Sequence, residues 1–202
     1  MRIGLVAILA LILGTPIANA DCLADAKAAL QSRLQALPLR EIVEGDRDGE
    51  HTRTVLEIET LQRFHTVIAG AADSSVTGIE LLILDGTGWS KERGKWQPFA
   101  AAPATAEATA DDEQAMADQL TNGATATCLG PLTKDGRQVI GFELHLDGDP
   151  SSGDPYTTLQ LYVDAQSHLP VSIDLAGQGD TGPATTHESF EYDKTIRFKP
   201  PK

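Results

Sequence analysis

The apolar positions of this chain recur first every three or four residues and then every second one, and the switch falls at Pro38. Leu23, Ala26, Leu30, Leu34 and Leu37 repeat at helical spacing, which predicts an amphipathic helix over 23–37 with one stripe facing a core and Pro38 as its stop. From Leu39 the period is two. Thr52, Thr54, Leu56, Ile58 and Thr60 alternate with Arg53, Val55, Glu57 and Glu59 after a turn at Asp48-Gly49, and Phe64, Thr66 and Ile68 alternate with Arg63, His65 and Val67. The run Ile79 to Leu84 ends at Asp85-Gly86, and Trp89 and Trp96 flank a further turn at Arg93-Gly94. A meander of about six strands is predicted.

Between Ala100 and Ala110 the chain turns to Ala, Pro and Thr, too poor in bulky apolar groups to build a core, and reads as a loop. Asp111-Asp112-Glu113 then opens a short predicted helix to Leu120, with acidic residues in the first turn and Met116 and Leu120 on the apolar side. Five more strands are predicted: 125–132, 137–146 after Asp135-Gly136, 156–164, 169–175 and 186–192. In the strand from Arg137, Gln138, Ile140, Phe142, Leu144 and Leu146 share one face, and Glu143 and His145 share the other.

The first twenty residues have a different character. Arg2, the apolar run Ile3 to Leu13 and the small-x-small pattern Ala18-Asn19-Ala20 make an export leader, cleaved after Ala20. That run is shorter than the roughly 20 residues a membrane-spanning helix needs, and no longer apolar run follows. Residues 21–202 are then a single secreted domain, expected in the periplasm as a monomer. Cys22 follows the cut closely, but Asp21 stands where a lipidation signal wants a small residue. The formal charge of −13 becomes one unit more negative without Arg2, and an acidic balance of this size repels phosphate backbones and anionic lipid surfaces, so nucleic acid is not an expected partner. Cys22 and Cys128 are the two cysteines of an exported chain, and a structural disulfide between them is the economical reading. The competing reading is two free thiols, although neither lies in a C-x-x-C arrangement.

Catalytic patterns are sparse. The chain has no Gly-rich phosphate loop, and Gly88-Trp89-Ser90-Lys91 begins a Gly-x-Ser-x-Gly elbow that Glu92 breaks. His51, His65, His145, His168 and His187 are scattered over separate strands and loops, the placement of surface histidines. Asp147, Asp149 and Asp154 crowd one turn-rich segment; a calcium loop is the sharper reading and turn chemistry the plainer one, since the spacing and terminal Glu of an EF-hand are missing. No enzyme activity, metal or cofactor is expected.

The order of parts, together with several short motifs, resembles the LolA-like and LppX-like family of periplasmic lipoprotein carriers and lipid-binding proteins. Leu61-Gln62-Arg63-Phe64 is similar to the family's Arg-bearing strand, Leu84-Asp85-Gly86-Thr87-Gly88-Trp89 to its Asp-Gly-x-x-x-Trp turn, and Leu169-Pro170-Val171 to the Leu-Pro that opens a late strand. The closing segment Glu191 to Pro201 is similar to the family's last strand and Pro-ended tail. The resemblance implies an α+β fold: an antiparallel half-barrel of about ten to eleven strands, with helices covering its concave face and room for acyl chains. It also implies a role for Arg63 in gripping a lipoprotein, against the competing reading of an ordinary surface arginine.

These readings converge on a periplasmic protein that binds a lipid, a lipoprotein acyl chain or another apolar small molecule. Leu56, Ile58, Phe64, Ile68, Trp89, Met116, Leu120, Ile140, Phe142 and Leu144 are the expected lining, with Arg63 beside them. The alternative is an interaction module that contacts an envelope protein through the same fold with its interior filled by its own side chains.

Overall fold

The computed structural model describes residues 19–47, 50–69, 78–100, 118, 121–146, 156–178 and 183–202. Helix α1 (Asn19–Ser32) tightens into a 3-10 turn, Arg33–Ala36, before Leu37-Pro38 ends it. The observed helix therefore starts earlier than its periodic stripe, and Asn19 and Ala20, the last residues of the expected leader, form its first turn. Its buried face is Cys22, Ala26, Ala29 and Leu30, where small residues let the helix approach a sheet closely. The remainder of the leader, the Ala-Pro-Thr segment after Ala100, Met116, Leu120 and the carboxylate run 147–154 lie outside the described residues. Of the expected second helix only Asp118 is described; it is helical, as is Thr121 beyond it, and Asp118 forms an ion pair with Lys27 of α1. Where sequence reasoning expected two covering helices, the described residues contain one.

Everything else is one sheet. Its strands are β1 (Leu39–Arg47), β2 (Glu50–Thr60), β3 (Arg63–Ala69), β4 (Ile79–Leu84), β5 (Thr87–Glu92), β6 (Lys95–Ala100), β7 (Thr125–Lys134), β8 (Arg137–His145), β9 (Tyr156–Asp164), β10 (Pro170–Gln178) and β11 (Pro183–Glu191). Their order is β6-β5-β4-β3-β2-β1-β11-β10-β9-β8-β7, an open antiparallel sheet consistent with a half-barrel. Two meanders are thus joined by the pairing of β1 with β11, in which Glu41 faces Phe190 and Val43 faces Glu188. The sharp turns form where Asp-Gly and Arg-Gly were read: Asp85, Arg93 and Asp135 have φ of 51°, 50° and 51°, each followed by a glycine with positive φ. Two successive left-handed residues make the turn whose twist matches a hairpin.

Both free edges carry a proline. Counting outward from the two-residue turns, the hydrogen-bonded pairs are Glu92–Lys95 and Ser90–Gln97 on one side, and Lys134–Arg137 and Leu132–Val139 on the other. Pro98 and Pro131 fall on the alternate positions, whose N–H would point away from the sheet. Each removes an outward donor that another strand could pair with.

Helix α1 packs on β7, β8 and β10, and the face it covers is called the inner face here. Its core is Leu39, Phe142, Leu144, Leu159, Leu161, Val163, Ile173 and Phe190 with the helix residues above. A disulfide joins Cys22, 1% exposed in α1, to Cys128 in the edge strand β7, with the Cα atoms 5.4 Å apart. The helix is thereby tied to the strand it mainly rests on.

The outer face of the first meander has a cover of its own. Leu82 and Leu84 point to that side and are buried, as is Ile196 in the segment after β11. That closing segment is strapped down: the Phe198 N–H donates to Glu59 Oε2 at 3.0 Å, and Arg63 Nη2 donates to the Phe198 carbonyl at 2.8 Å. Burial pushes the Glu59 carboxyl up, but the bonds from Phe198 N–H and Arg63 outweigh it and hold the group below its usual value of 4.5.

Two outcomes test this architecture. Cys22→Ser leaves unclosed the loop between cysteines separated by 106 positions in sequence, and its unfolding midpoint in denaturant is expected to fall by the equivalent of about 2–5 kcal/mol; an unchanged midpoint would show that the bridge does not hold the helix. Glu59→Ala is expected to raise hydrogen exchange at the Phe198 amide by about tenfold, the equivalent of one lost hydrogen bond. Because the folded carboxyl titrates below 4.5, this tie is fully present above that pH and is lost as the pH falls through the lower folded value. Unchanged exchange in the variant would mean that the strap is held elsewhere.

Candidate functional site

The antiparallel register lays the inner face out in transverse rows. One row runs Leu39, Ile58, Phe64, Ile83, Gly88, Phe99 from β1 to β6. The next runs Glu41, Leu56, Thr66, Leu81, Ser90, Gln97, and the third begins Val43, Thr54, Ile68, Ile79. Across the seam the third row continues through Glu188, Ile173, Leu161, Phe142 and Cys128. Two meanders therefore share one largely apolar floor.

They differ in what covers it. In the second meander α1 buries the floor: Phe142 is 5% exposed, and Leu144, Leu159 and Leu161 are 0% exposed. In the first, Leu56, Phe64, Thr66, Leu81 and Ile83 are only half-buried, and Ile68, Ile79 and Phe99 are 36%, 44% and 40% exposed. The Phe99 ring lies over Gly88, where an added Cβ would come within 2.4 Å of it. Only glycine leaves room for that ring on the sheet surface.

At the boundary sits a buried polar group. Arg33 Nη1 lies 3.5 Å from Glu41 Oε2, with side chains 8% and 12% exposed, and the guanidinium stands 5.8 Å from the centre of the Phe190 ring. Nearby, burial raises the pKa of the Tyr192 phenol well above its usual value, and its hydroxyl donates to the Pro170 carbonyl at 3.1 Å. A buried charge pair of this kind marks where the helix-covered half ends.

The predicted lining residues divide accordingly. Leu56, Ile58, Phe64 and Ile68 come together on the open half of the inner face. Ile140, Phe142 and Leu144 share that face but pack in the core under α1. Arg63 and Trp89 lie on the outer face. Trp89 faces Leu82 and Pro98 there, and Arg63 bonds to Glu59, to Asp85 at 2.6 Å and to the strap. Period-two alternation separates two sets of side chains without saying which set faces the helix, and in this meander both sets contain large apolar groups. Sequence reasoning missed Val43, Ile79, Leu81, Ile83 and Phe99. The run Ile79 to Leu84 is apolar at almost every position, so alternation assigned no face to it.

The outer face carries charge chemistry rather than a reaction centre. His65 lies between Glu57 and Glu80, at 3.3 and 3.2 Å, and Lys91 donates to Glu80 at 2.8 Å. His187 bonds to Asp174, which also accepts from Lys134 at 2.7 Å. Desolvation raises the pKa of Asp174, but these two partners hold the carboxyl below its usual range. Among the described residues no group of three or more His, Cys, Asp or Glu has metal-holding geometry. Two clefts open on the surface. One of about 670 Å³ lies beside α1 and is lined by Leu23, Lys27, Asp118, Thr121 and Asn122; one of about 590 Å³ lies between Ile79, Ser90 and Arg93, against the open end of the floor.

No family model and no curated protein sequence matches the chain. Solved structures do. Lipoprotein LppX of Mycobacterium tuberculosis superposes over 90% of this chain and 99% of its own, at 12% identity and a TM-score of 0.57. LprF from Mycobacterium bovis superposes over 88% and 97%, at 12% identity and a TM-score of 0.52. At such low identity the shared property is architecture: the chain has an LppX-like fold.

Proposed function

We propose that this protein is a non-enzymatic carrier that holds a lipid acyl chain or a comparable apolar ligand against the open half of its inner face, outside the inner membrane and after removal of a leader ending at Ala20. The observation that carries this reading is the contrast between the two halves of one floor. The second meander hides its apolar rows under a disulfide-tied helix, whereas among the described residues the first leaves Ile68, Ile79 and Phe99 exposed on the same face. Exposed apolar area of that kind is worth about 25 cal/mol per Å² to any group that removes it from water, and a contiguous patch marks a binding surface. Leu56, Phe64 and Ile68 form the contact surface with Leu81 and Ile83, and the buried Ile58 packs beneath them. Arg63 and Trp89 support it from behind, through the strap and the outer face.

Recovering the protein from the exported fraction, sequencing its N-terminus and extracting it with organic solvent tests both parts. The expected results are a chain beginning at Asp21 and a co-purifying lipid. An intact leader would overturn the export reading, and the absence of lipid together with no uptake of a fluorescent fatty acid would overturn the carrier reading. Replacing Ile68 and Ile79 with aspartate puts charge on two exposed positions, so the melting temperature is expected to change little while affinity for the fluorescent probe falls by at least about tenfold. Undiminished affinity would place the ligand elsewhere.

A further inference from the structure

The charge of this chain is unevenly placed. The whole carries −13, yet residues 194–202 contain Lys194, Arg197, Lys199 and Lys202 and no acidic side chain. All four are exposed. Lys194, Lys199 and Lys202 have no ion-pair partner among the described residues, whereas Arg197 lies 3.8 Å from Glu59. A solvated basic tail would be unremarked if it waved free, but this one is fixed to the sheet by the Glu59–Phe198–Arg63 ties and the buried Ile196.

Three carboxylates bonded within the strap or at its anchors are tied to the fold rather than to the strap lysines. Glu59 accepts from Arg63 and Phe198 N–H, Asp85 accepts from Arg63, and Asp193 accepts from the Thr195 amide and hydroxyl. Glu57 and Glu80, which hold His65 beside the Phe198 ring, are paired with Arg40 and Lys91, and counterions screen charges beyond roughly 8 Å at physiological ionic strength, so carboxylates on the distant strands are felt weakly there. The register fixes which end of the sheet this is. Glu59 and Arg63 border the Leu61-Gln62 turn, and the row ending in exposed Phe99 is the row next to that turn. The basic strap on the outer face and the last apolar row on the inner face thus lie toward the same end of the first meander.

From this placement we infer that the strap end is a docking surface for an anionic membrane, with Lys194, Lys199 and Lys202 meeting phosphodiester headgroups and the rim of the floor at Phe99 opening toward the same end of the sheet. Docking stands on the charge geometry alone; its use, delivering a lipid between bilayer and floor, rests on the carrier reading. Each cation brought to an anionic surface strengthens binding by a factor of about five, so three supply a factor of about a hundred.

Flotation of the purified protein with vesicles tests this. Binding is expected to phosphatidylcholine vesicles containing phosphatidylglycerol, to be lost with phosphatidylcholine alone, and to weaken steeply as salt shortens the screening length to a few Å. The variant Lys194→Ser, Lys199→Ser, Lys202→Ser changes only exposed, unpartnered side chains and is expected to bind about a hundredfold more weakly while keeping its melting temperature. Equal binding to both vesicle types, or an unweakened variant, would overturn the inference. So would a strap that ignores vesicles and instead binds an acidic protein in a lysine-dependent manner. Fluorescent fatty acid uptake without vesicles reads the carrier function separately, and the triple variant is expected to retain it.

Discussion

The pairing of β1 with β11 is the constraint on which the other features depend. It brings residues about 150 positions apart into one ladder, with Arg40 beside Glu191 and Asp46 beside Thr185. Because side chains alternate with period two, this register decides which residues of each meander share a face, and a slip of one residue would invert one half against the other. With the observed register, Val43 continues the row of Ile173, Leu161 and Phe142, and two separate hairpin stacks become one apolar floor. Arg40 marks the seam on the outer face. It donates to Glu57 at 2.9 and 2.7 Å and to Glu191 at 3.1 Å, tying three strands across the junction.

Given one floor, the helix decides its use. Helix α1 is short and rests mainly on β7, so it buries the second meander and stops near the Arg33–Glu41 pair. The disulfide prevents the helix from drifting over the remaining rows, since Cys22 is joined to the far edge strand. Half of the floor is thereby packed like any protein interior, while among the described residues the other half is mostly half-buried, with Ile68, Ile79 and Phe99 exposed. That exposure forgoes stability that burial of the same side chains would add.

The outer face is asymmetric in a complementary way. Over the first meander it has Leu82, Leu84, Trp89 and Trp96, together with the closing strap, so strands β3 and β4 carry apolar groups on both sides. Arg63 belongs to this layer. Its three partners, Glu59, Asp85 and the Phe198 carbonyl, make it the fastening of the strap, and its guanidinium faces away from the floor.

Much of this was legible in order of residues. The helix stop at Pro38, the two-residue turns at Asp85-Gly86, Arg93-Gly94 and Asp135-Gly136, the strands between them and the Cys22–Cys128 bridge follow from local backbone chemistry and from the presence of just two cysteines behind a leader-like segment. Such features depend on neighbours in sequence, and a sequence displays those directly. The grouping Leu56, Ile58, Phe64 and Ile68 was also readable, because strict alternation keeps them on one side wherever the strands are placed. What only the tertiary structure decided is the identity of the two sides: that Trp89 and Arg63 turn away, that Phe142 and Leu144 are sealed under a helix, and that Ile79 and Phe99 join the open rows. Those assignments depend on which strand pairs with which over long separations and on where a single tethered helix comes to rest, and period-two patterning is symmetric with respect to both.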